Sequence, residues 1–368
     1  GGGGGGGATG RRLEVLYTPL HGTGVVDRAL RRAGFPCRVF GPQASPDGRF
    51  PTVPGGVANP ENPEVMSAAI AAAGDAQLVF GTDPDADRLG CEVAHGGGWV
   101  HLTGDDIAAL VVHRATRRPL PGGRRPLVIV TEVTSTLVGR VGRAAGAVVV
   151  DDLLVGFKHI ADGLRTLEVE GCWRGIRAED VAFVAGGEES HGVLVTSSIR
   201  DKDAASGAVL LAVLADEARA RGQTLVDVLA VLEHEHGTIR NGQVSVRFEG
   251  ATGAGRLGAL LEALRAAPPT TLAGRAVLEA FDHRDEQGRF GPLRSGSDRD
   301  ARNVLVYHLA PAAGDEGARV ILRPSGTEPK LKVYLEVQGA AGLDEAGRAR
   351  IEASLEALRQ ALAQRVGG

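Results

Sequence analysis

Cysteine is scarce in this chain: Cys37, Cys91 and Cys172 are odd in number, far apart and without C-x-x-C spacing. Neither a disulfide framework nor a thiolate zinc site is indicated on that count, and a reducing, cytoplasmic setting is expected. Long apolar runs are also lacking. No stretch approaches the roughly 20 residues that cross a bilayer, and no charged-then-apolar leader opens the sequence, so no membrane partner is expected. The third absence is a basic excess. With a formal net charge of -4 and a pI near 6.2, no nucleic-acid partner is expected, and Arg117-Arg118 and Arg124-Arg125 read as solvated surface. What remains, at 43% hydrophobic and 23% charged over 368 residues, is globular composition, enough for two or three domains with their own cores.

The first segment, 1–10, is a glycine-rich tail that buries nothing and reads as a linker. Residues 11–101 alternate strand and helix: Leu13–Tyr17 and Cys37–Phe40 as strands, Val25–Ala33 as a helix, and a helix capped by Asn62 with Pro63 in its first turn. Its buried face is Val65, Met66, Ala69, Ile70 and Ala73. A mostly parallel sheet is expected here. A second α/β domain, 102–236, opens at Gly104-Asp-Asp106 and carries strands at Leu127–Val130, Val148–Val150 and Val181–Ala185. Helices are expected at Ile107–Ala115, Ser135–Ala145, Ala204–Ala220 and Thr224–Glu233, the third with Val209, Leu210, Val213, Leu214 and Ala218 on its apolar face. Residues 237–368 change character to strands joined by loops with helices at the ends, as in an α+β domain.

The chain is organised around Gly81-Thr-Asp-Pro-Asp-Ala-Asp-Arg88. A buried strand, Gln77–Phe80, delivers Asp83, Asp85 and Asp87 to a place where α/β sheets bind ligands. Hard oxygen ligands in this number suit Mg²⁺, which keeps positions open for substrate phosphate, and Arg88 adds a fork that can grip that phosphate. An EF-hand is excluded, because it needs Gly and Glu where Arg88 and Ala94 stand. An aspartyl-phosphate enzyme with Asp83 as nucleophile, and a merely solvated acidic turn, remain as alternatives.

Other loops bear on the same chemistry. Arg323-Pro-Ser-Gly-Thr-Glu-Pro-Lys330 joins two strands: Arg323 offers a bidentate fork, Ser325 and Thr327 hydroxyls, and Gly326 lets amides approach a phosphate. Glu188, Glu189, Ser190 and His191 form a polar cluster between glycines that suits adjacent sugar hydroxyls, or else a solvated loop. Lys158 and His159, on a loop after a glycine turn, read as an acid–base pair, a phosphate handle or plain surface. Gly22-x-Gly24 reads as a tight turn rather than a phosphate cradle. Together the loops point to a phosphorylated sugar as the small-molecule partner.

In this order and spacing, Gly81–Arg88, Gly187-Glu-Glu-Ser-His191 and Arg323–Lys330 resemble the metal, sugar and phosphate loops of the α-D-phosphohexomutase family. That family includes phosphoglucomutase and phosphomannomutase. Thr18–Gly24, Val155–Lys158 and Arg200-Asp-Lys-Asp203 are similar to family stretches as well. The resemblance implies two tandem βα-alternating domains followed by an α+β C-terminal domain. It further implies Mg²⁺ on Asp83, Asp85 and Asp87, sugar contacts from Glu188 and Ser190, and a non-reacting phosphate held by Arg323, Ser325, Gly326 and Thr327. Arg88, Lys158 and His159 are the implied catalytic candidates. The implied reaction moves phosphate between positions 1 and 6 of a hexose through a phosphoserine and a glucose 1,6-bisphosphate-type intermediate. One departure stands out. The family's phosphoserine loop, Thr-Ala-Ser-His-Asn-Pro-like, has no counterpart, and Ser45 and Ser135 are poor substitutes. The chain is therefore expected to start at the family's second domain, with the serine domain in cis in a longer protein, and to be inactive alone. A phosphopentomutase and a non-catalytic sugar-phosphate binder are the alternatives.

Overall fold

A strand buried at every position, β1 (Val15–Thr18), begins the fold. The structure, a computed structural model, describes residues 13–250, 252–312, 314–326 and 328–367. The expected glycine-rich tail at 1–10 and Thr327 lie outside the described residues. Helix α1 (Val26–Arg32), β2 (Cys37–Val39), α2 (Ser67–Ala71), β3 (Leu78–Thr82), β4 (Leu89–His95) and β5 (Gly98–Leu102) follow. They build a sheet in the order β2-β1-β3-β4-β5.

That sheet corrects the expectation of a mostly parallel one. β1 pairs in parallel with β2 and β3, but β3 with β4 and β4 with β5 are antiparallel. The cause is connection length. Only Asp83–Arg88 separate β3 from β4, far short of the dozen or more residues a parallel crossover needs, so the chain must turn straight back. Between β4 and β5, Gly96 and Gly97 both take positive φ (59° and 82°), as a two-residue hairpin demands. The helix at Asn62 also differs. Asn62 caps as expected, accepting from the Glu64 amide, but the first turn, Pro63–Met66, is a 3-10 turn before α2. Val65, Met66, Ala69 and Ala73 are buried against Leu16 and Val79, with Ile70 at the margin.

The next segment contains α3 (Gly104–Thr116), β6 (Arg125–Thr131), α4 (Thr136–Ala144), β7 (Val148–Leu153) and α5 (Phe157–Glu170). After them come β8 (Cys172–Trp173), β9 (Ile176–Arg177), β10 (Val181–Glu188), β11 (Gly192–Leu194), α6 (Ala204–Arg219) and α7 (Leu225–His236). Its sheet runs β11-β10-β6-β7. Thr103 and Asp106 close a reciprocal capping box at the start of α3. The apolar face of α6 is partly rotated from the expected one: Leu214 and Ala218 are buried as expected, together with Gly207, Ala208, Leu211, Ala212 and Ala215, while Val209, Leu210 and Val213 are only partly covered. Small residues let α6 lie close against α1 and α3, so Val209, Leu210 and Val213 flank the contact while Leu211 and Leu214 are buried.

The last segment holds β12 (Ile239–Arg247), α8 (Gly253–Ala266), β13 (Thr271–Leu272), β14 (Arg275–Asp282), α9 (Gly296–Ala301), β15 (Leu305–Leu309), β16 (Gly317–Pro324), β17 (Lys330–Gln338) and α10 (Glu345–Gly367). Its antiparallel sheet has the order β12-β17-β16-β15-β14-β13. Leu257 and Leu261 of α8 and Ile351, Leu355 and Leu358 of α10 pack on Tyr307, Val320, Val333 and Leu335. By compactness the chain forms two units. One gathers the residues up to Thr134 with Val141–Asp151 and Gly156–Ala230; the other gathers Ser135–Arg140, Asp152–Val155 and everything from Val231. In the second unit the buried Glu336 accepts the amide and hydroxyl of Thr136 (2.8 and 2.9 Å) and pairs with Arg319 at 3.1 Å, capping α4. No helix among the described residues is long and apolar enough to cross a membrane.

Candidate functional site

The acidic stretch is the turn of the β3–β4 hairpin, at the end of a strand buried throughout. One Asp83 carboxylate oxygen organises the turn by accepting the amides of Asp87 (3.1 Å) and Arg88 (3.0 Å). Ala86 takes φ 57°, which brings the chain round within these few residues. As a result Asp83, Asp85 and Asp87 each place an oxygen within 4.8 Å of the other two. Burial pushes the Asp83 carboxyl up to about 7, against the lowering pull of the Arg88 amide. Crowded carboxylates without a cation favour a shared proton; a divalent cation removes that repulsion. One Asp87 oxygen is buried and has no hydrogen-bond partner among the described residues. The site therefore fits a hard cation in its donor set, its crowding and its open acceptor.

Two cations already lean on the cluster. Arg88 sets its Nε 3.2 Å from Asp83 and its Nη1 3.2 Å from Glu61 and 3.3 Å from Asn59. Lys202 places Nζ 2.6 Å from the other Asp87 oxygen. Lys202 was not singled out from sequence; the signal was the Arg200–Asp203 stretch, whose partner is distant in the chain.

The Thr18–Gly24 turn supports this loop rather than a phosphate. Thr23 gives Pro84 two hydrogen bonds, from its amide (2.8 Å) and hydroxyl (3.0 Å). A side chain on Gly22 would fall 2.5 Å from the Pro84 Cα, and one on Gly24 would strike the Tyr17 hydroxyl and Thr82. Gly22→Ala is accordingly expected to cost about 1–3 kcal/mol and to weaken Mg²⁺ binding. Urea unfolding and a Mg²⁺ titration check this, and two unchanged curves would show that the turn does not brace the loop.

Glu188 ends β10, and Gly192 begins β11. The Leu89 amide donates to the His191 carbonyl at 3.0 Å, and Arg88 bridges to Gly192, which sets the Glu188–His191 loop beside the acidic one. Glu188 is buried, with Oε1 accepting the Gly156 amide at 2.9 Å. Gly156 has φ 124°, open only to glycine, and caps α5. Lys158 and His159 thus stand in the first turn of a helix that sequence reading missed, not on a loop. Two glycines, Gly156 and Gly171, bound that helix. Lys158 is exposed and His159 half-buried. Ser190 is half-buried beside Glu188.

In the second unit, Arg323 lies near the end of β16. Ser325 donates its amide to the Lys330 carbonyl at 2.7 Å, closing the loop. Gly326 is exposed, and a Cβ there would meet nothing within 4 Å, so no internal contact requires the glycine. Thr327 cannot be placed, being outside the described residues.

Comparison with known proteins covers much of the chain. Residues 7–97, 103–234 and 311–353 match the profiles described as phosphoglucomutase/phosphomannomutase alpha/beta/alpha domain II, alpha/beta/alpha domain III and C-terminal domain. A phosphoglucomutase of Staphylococcus haemolyticus is 32% identical over 332 residues, covering 88% of this chain and 57% of the relative. The Haemophilus influenzae protein named "Probable phosphomannomutase" is 31% identical over 334 residues, covering 89% of this chain and 60% of that protein. The chain thus spans about 60% or less of the length of these relatives. Among solved structures, parafusin (a phosphoglucomutase) from Paramecium superposes with a TM-score of 0.60 at 16% identity, over 97% of this chain and 59% of that one.

Proposed function

Because the chain belongs to the phosphoglucomutase/phosphomannomutase family, we propose that it carries the metal, sugar and phosphate loops of a cytoplasmic hexose-phosphate mutase. The observation that carries this reading is the junction of Arg88–Leu89 with His191–Gly192 in the first unit. It brings a carboxylate cluster fit for a cation to a buried glutamate fit for sugar hydroxyls.

In this reading Asp83, Asp85 and Asp87 hold Mg²⁺, whose charge draws electron density from a phosphoryl oxygen. Arg88, anchored by Glu61 and Asn59, presents its fork to the same phosphoryl group. Lys202 adds positive charge beside Asp87. The Glu188 carboxylate, together with the Ser190 hydroxyl, orients adjacent sugar hydroxyls. Lys158 is the exposed handle for substrate charge, and His159 is the weaker candidate for moving a proton. Arg323, Ser325, Gly326 and Thr327 hold the phosphate that does not react. The nucleophilic serine would come from a segment outside these 368 residues, so the chain alone is proposed to bind glucose 1,6-bisphosphate without turning over glucose 1-phosphate.

Calorimetric titration with glucose 1,6-bisphosphate and Mg²⁺ tests this. Arg323→Ala should weaken binding by about 10- to 100-fold, the loss of charge-assisted hydrogen bonds to a dianion. Equal binding by the variant would remove the Arg323 loop from the site, and steady turnover of glucose 1-phosphate by the chain alone would contradict the missing nucleophile.

A further inference from the structure

His191 is buried (4% exposed) yet takes a left-handed backbone, φ 64°. Non-glycine residues reach that region at a cost, His among the less disfavoured. Among the described residues no loop amide donates to the Leu89 carbonyl. The His191 ring supplies the donor in its place: Nδ1 lies 3.0 Å from the Leu89 oxygen. A carbonyl oxygen only accepts, so Nδ1 carries the proton. Leu89 is thereby bound at both polar groups by one residue, since its amide already donates to the His191 carbonyl.

The surroundings leave the ring little freedom. His101, itself fixed by Glu92 at 2.7 Å, lies against it with ring centroids 5.5 Å apart. From below, α3 approaches so closely that a side chain on Gly104 would strike the Glu189 carbonyl and come 2.6 Å from the His191 amide.

We infer that His191 is a positioning residue: its ring fixes the Glu188–Ser190 loop to the strand leaving the carboxylate cluster, so that sugar and metal are held in register. This rests on the proposed sugar and metal roles of those two loops. His191 itself touches neither ligand; it acts through Leu89 and Glu188.

Three versions of the 368-residue chain test it: wild type, His191→Phe, which keeps a ring without a donor, and His191→Asn, which tolerates the backbone and restores an N–H. Nitrogen NMR of the wild-type ring should show the proton on Nδ1, and the Leu89 amide should exchange faster in His191→Phe. Glucose 1-phosphate affinity, measured with and without Mg²⁺, should lose about tenfold of its Mg²⁺ enhancement in His191→Phe, as expected for stranding a buried carbonyl. Affinity for Mg²⁺ alone should stay within about twofold, and His191→Asn should recover most of the enhancement. An Nε2 proton, unchanged Leu89 exchange, or full enhancement in His191→Phe would overturn the inference. Wild-type chain that binds neither Mg²⁺ nor glucose 1-phosphate would instead overturn the proposed function, while ring tautomer and Leu89 exchange would still decide whether His191 holds the loop.

Discussion

Asp85→Asn is expected to weaken Mg²⁺ binding by about 100-fold or more, since even residues behind metal ligands matter by 10- to 100-fold, while leaving stability within about 0.5 kcal/mol. The asymmetry follows from where the three carboxylates sit. Asp83 is buried and holds the turn together through two amides, so replacing it disturbs the loop as well as the ligand set. Asp87 shares an oxygen with Lys202, so its loss also strands an ammonium group. Asp85 is exposed at the tip and has no such structural duty. Titration calorimetry with Mg²⁺, next to urea unfolding of the same samples, separates the two effects. Undiminished Mg²⁺ affinity in Asp85→Asn would mean that the cluster is only an acidic turn. Asp83→Ala should instead lose both affinity and stability, the latter by about 1–3 kcal/mol as two amides lose their acceptor.

The order of strands and helices was legible where apolar residues were dense, as in α3, α6 and β6. Elements that depend on distant partners were not. Helix α5 has its turn set by Gly156 and a cap supplied by Glu188, 32 positions away. β14 shows mostly exposed side chains, so no alternation of apolar residues announces it. β4 was not expected from the sequence, and its antiparallel return follows from the short connection after β3. In the first unit, residue type and spacing singled out the carboxylates and the Glu188 loop, which the structure sets beside one another. Lys202, Glu61 and the double role of His191 stayed hidden, because each acts across sequence distance on a group that a linear pattern cannot pair with it.

In the second unit, Asp315→Ala should cost about 3–5 kcal/mol, the usual penalty for stranding a buried partner charge. The Asp315 side chain is fully buried and receives the Arg275 fork at 2.7 and 3.1 Å, the Ser354 hydroxyl at 2.7 Å, and the amides of Ala312 and Gly317 at 3.0 Å each. Arg275 is only 9% exposed, so water cannot replace the lost carboxylate. Burial alone would raise the Asp315 carboxyl; the hydrogen bonds from Arg275, Ala312 and Ser354 outweigh it and hold the group below its ordinary range. A depressed carboxyl contributes stability that is fully present above its unfolded value, near ~3.9, and that disappears as pH falls through the folded value. The gap between wild type and Asp315→Ala should therefore be widest near neutrality and narrow progressively below about pH 4. Native-state hydrogen exchange of β14 to β17 amides reads this unit directly, with His308→Ala as control because its pair with Glu279 is exposed and worth under about 1 kcal/mol. A gap that stays constant from neutrality into acid would mean that Asp315 holds the unit by shape rather than by charge.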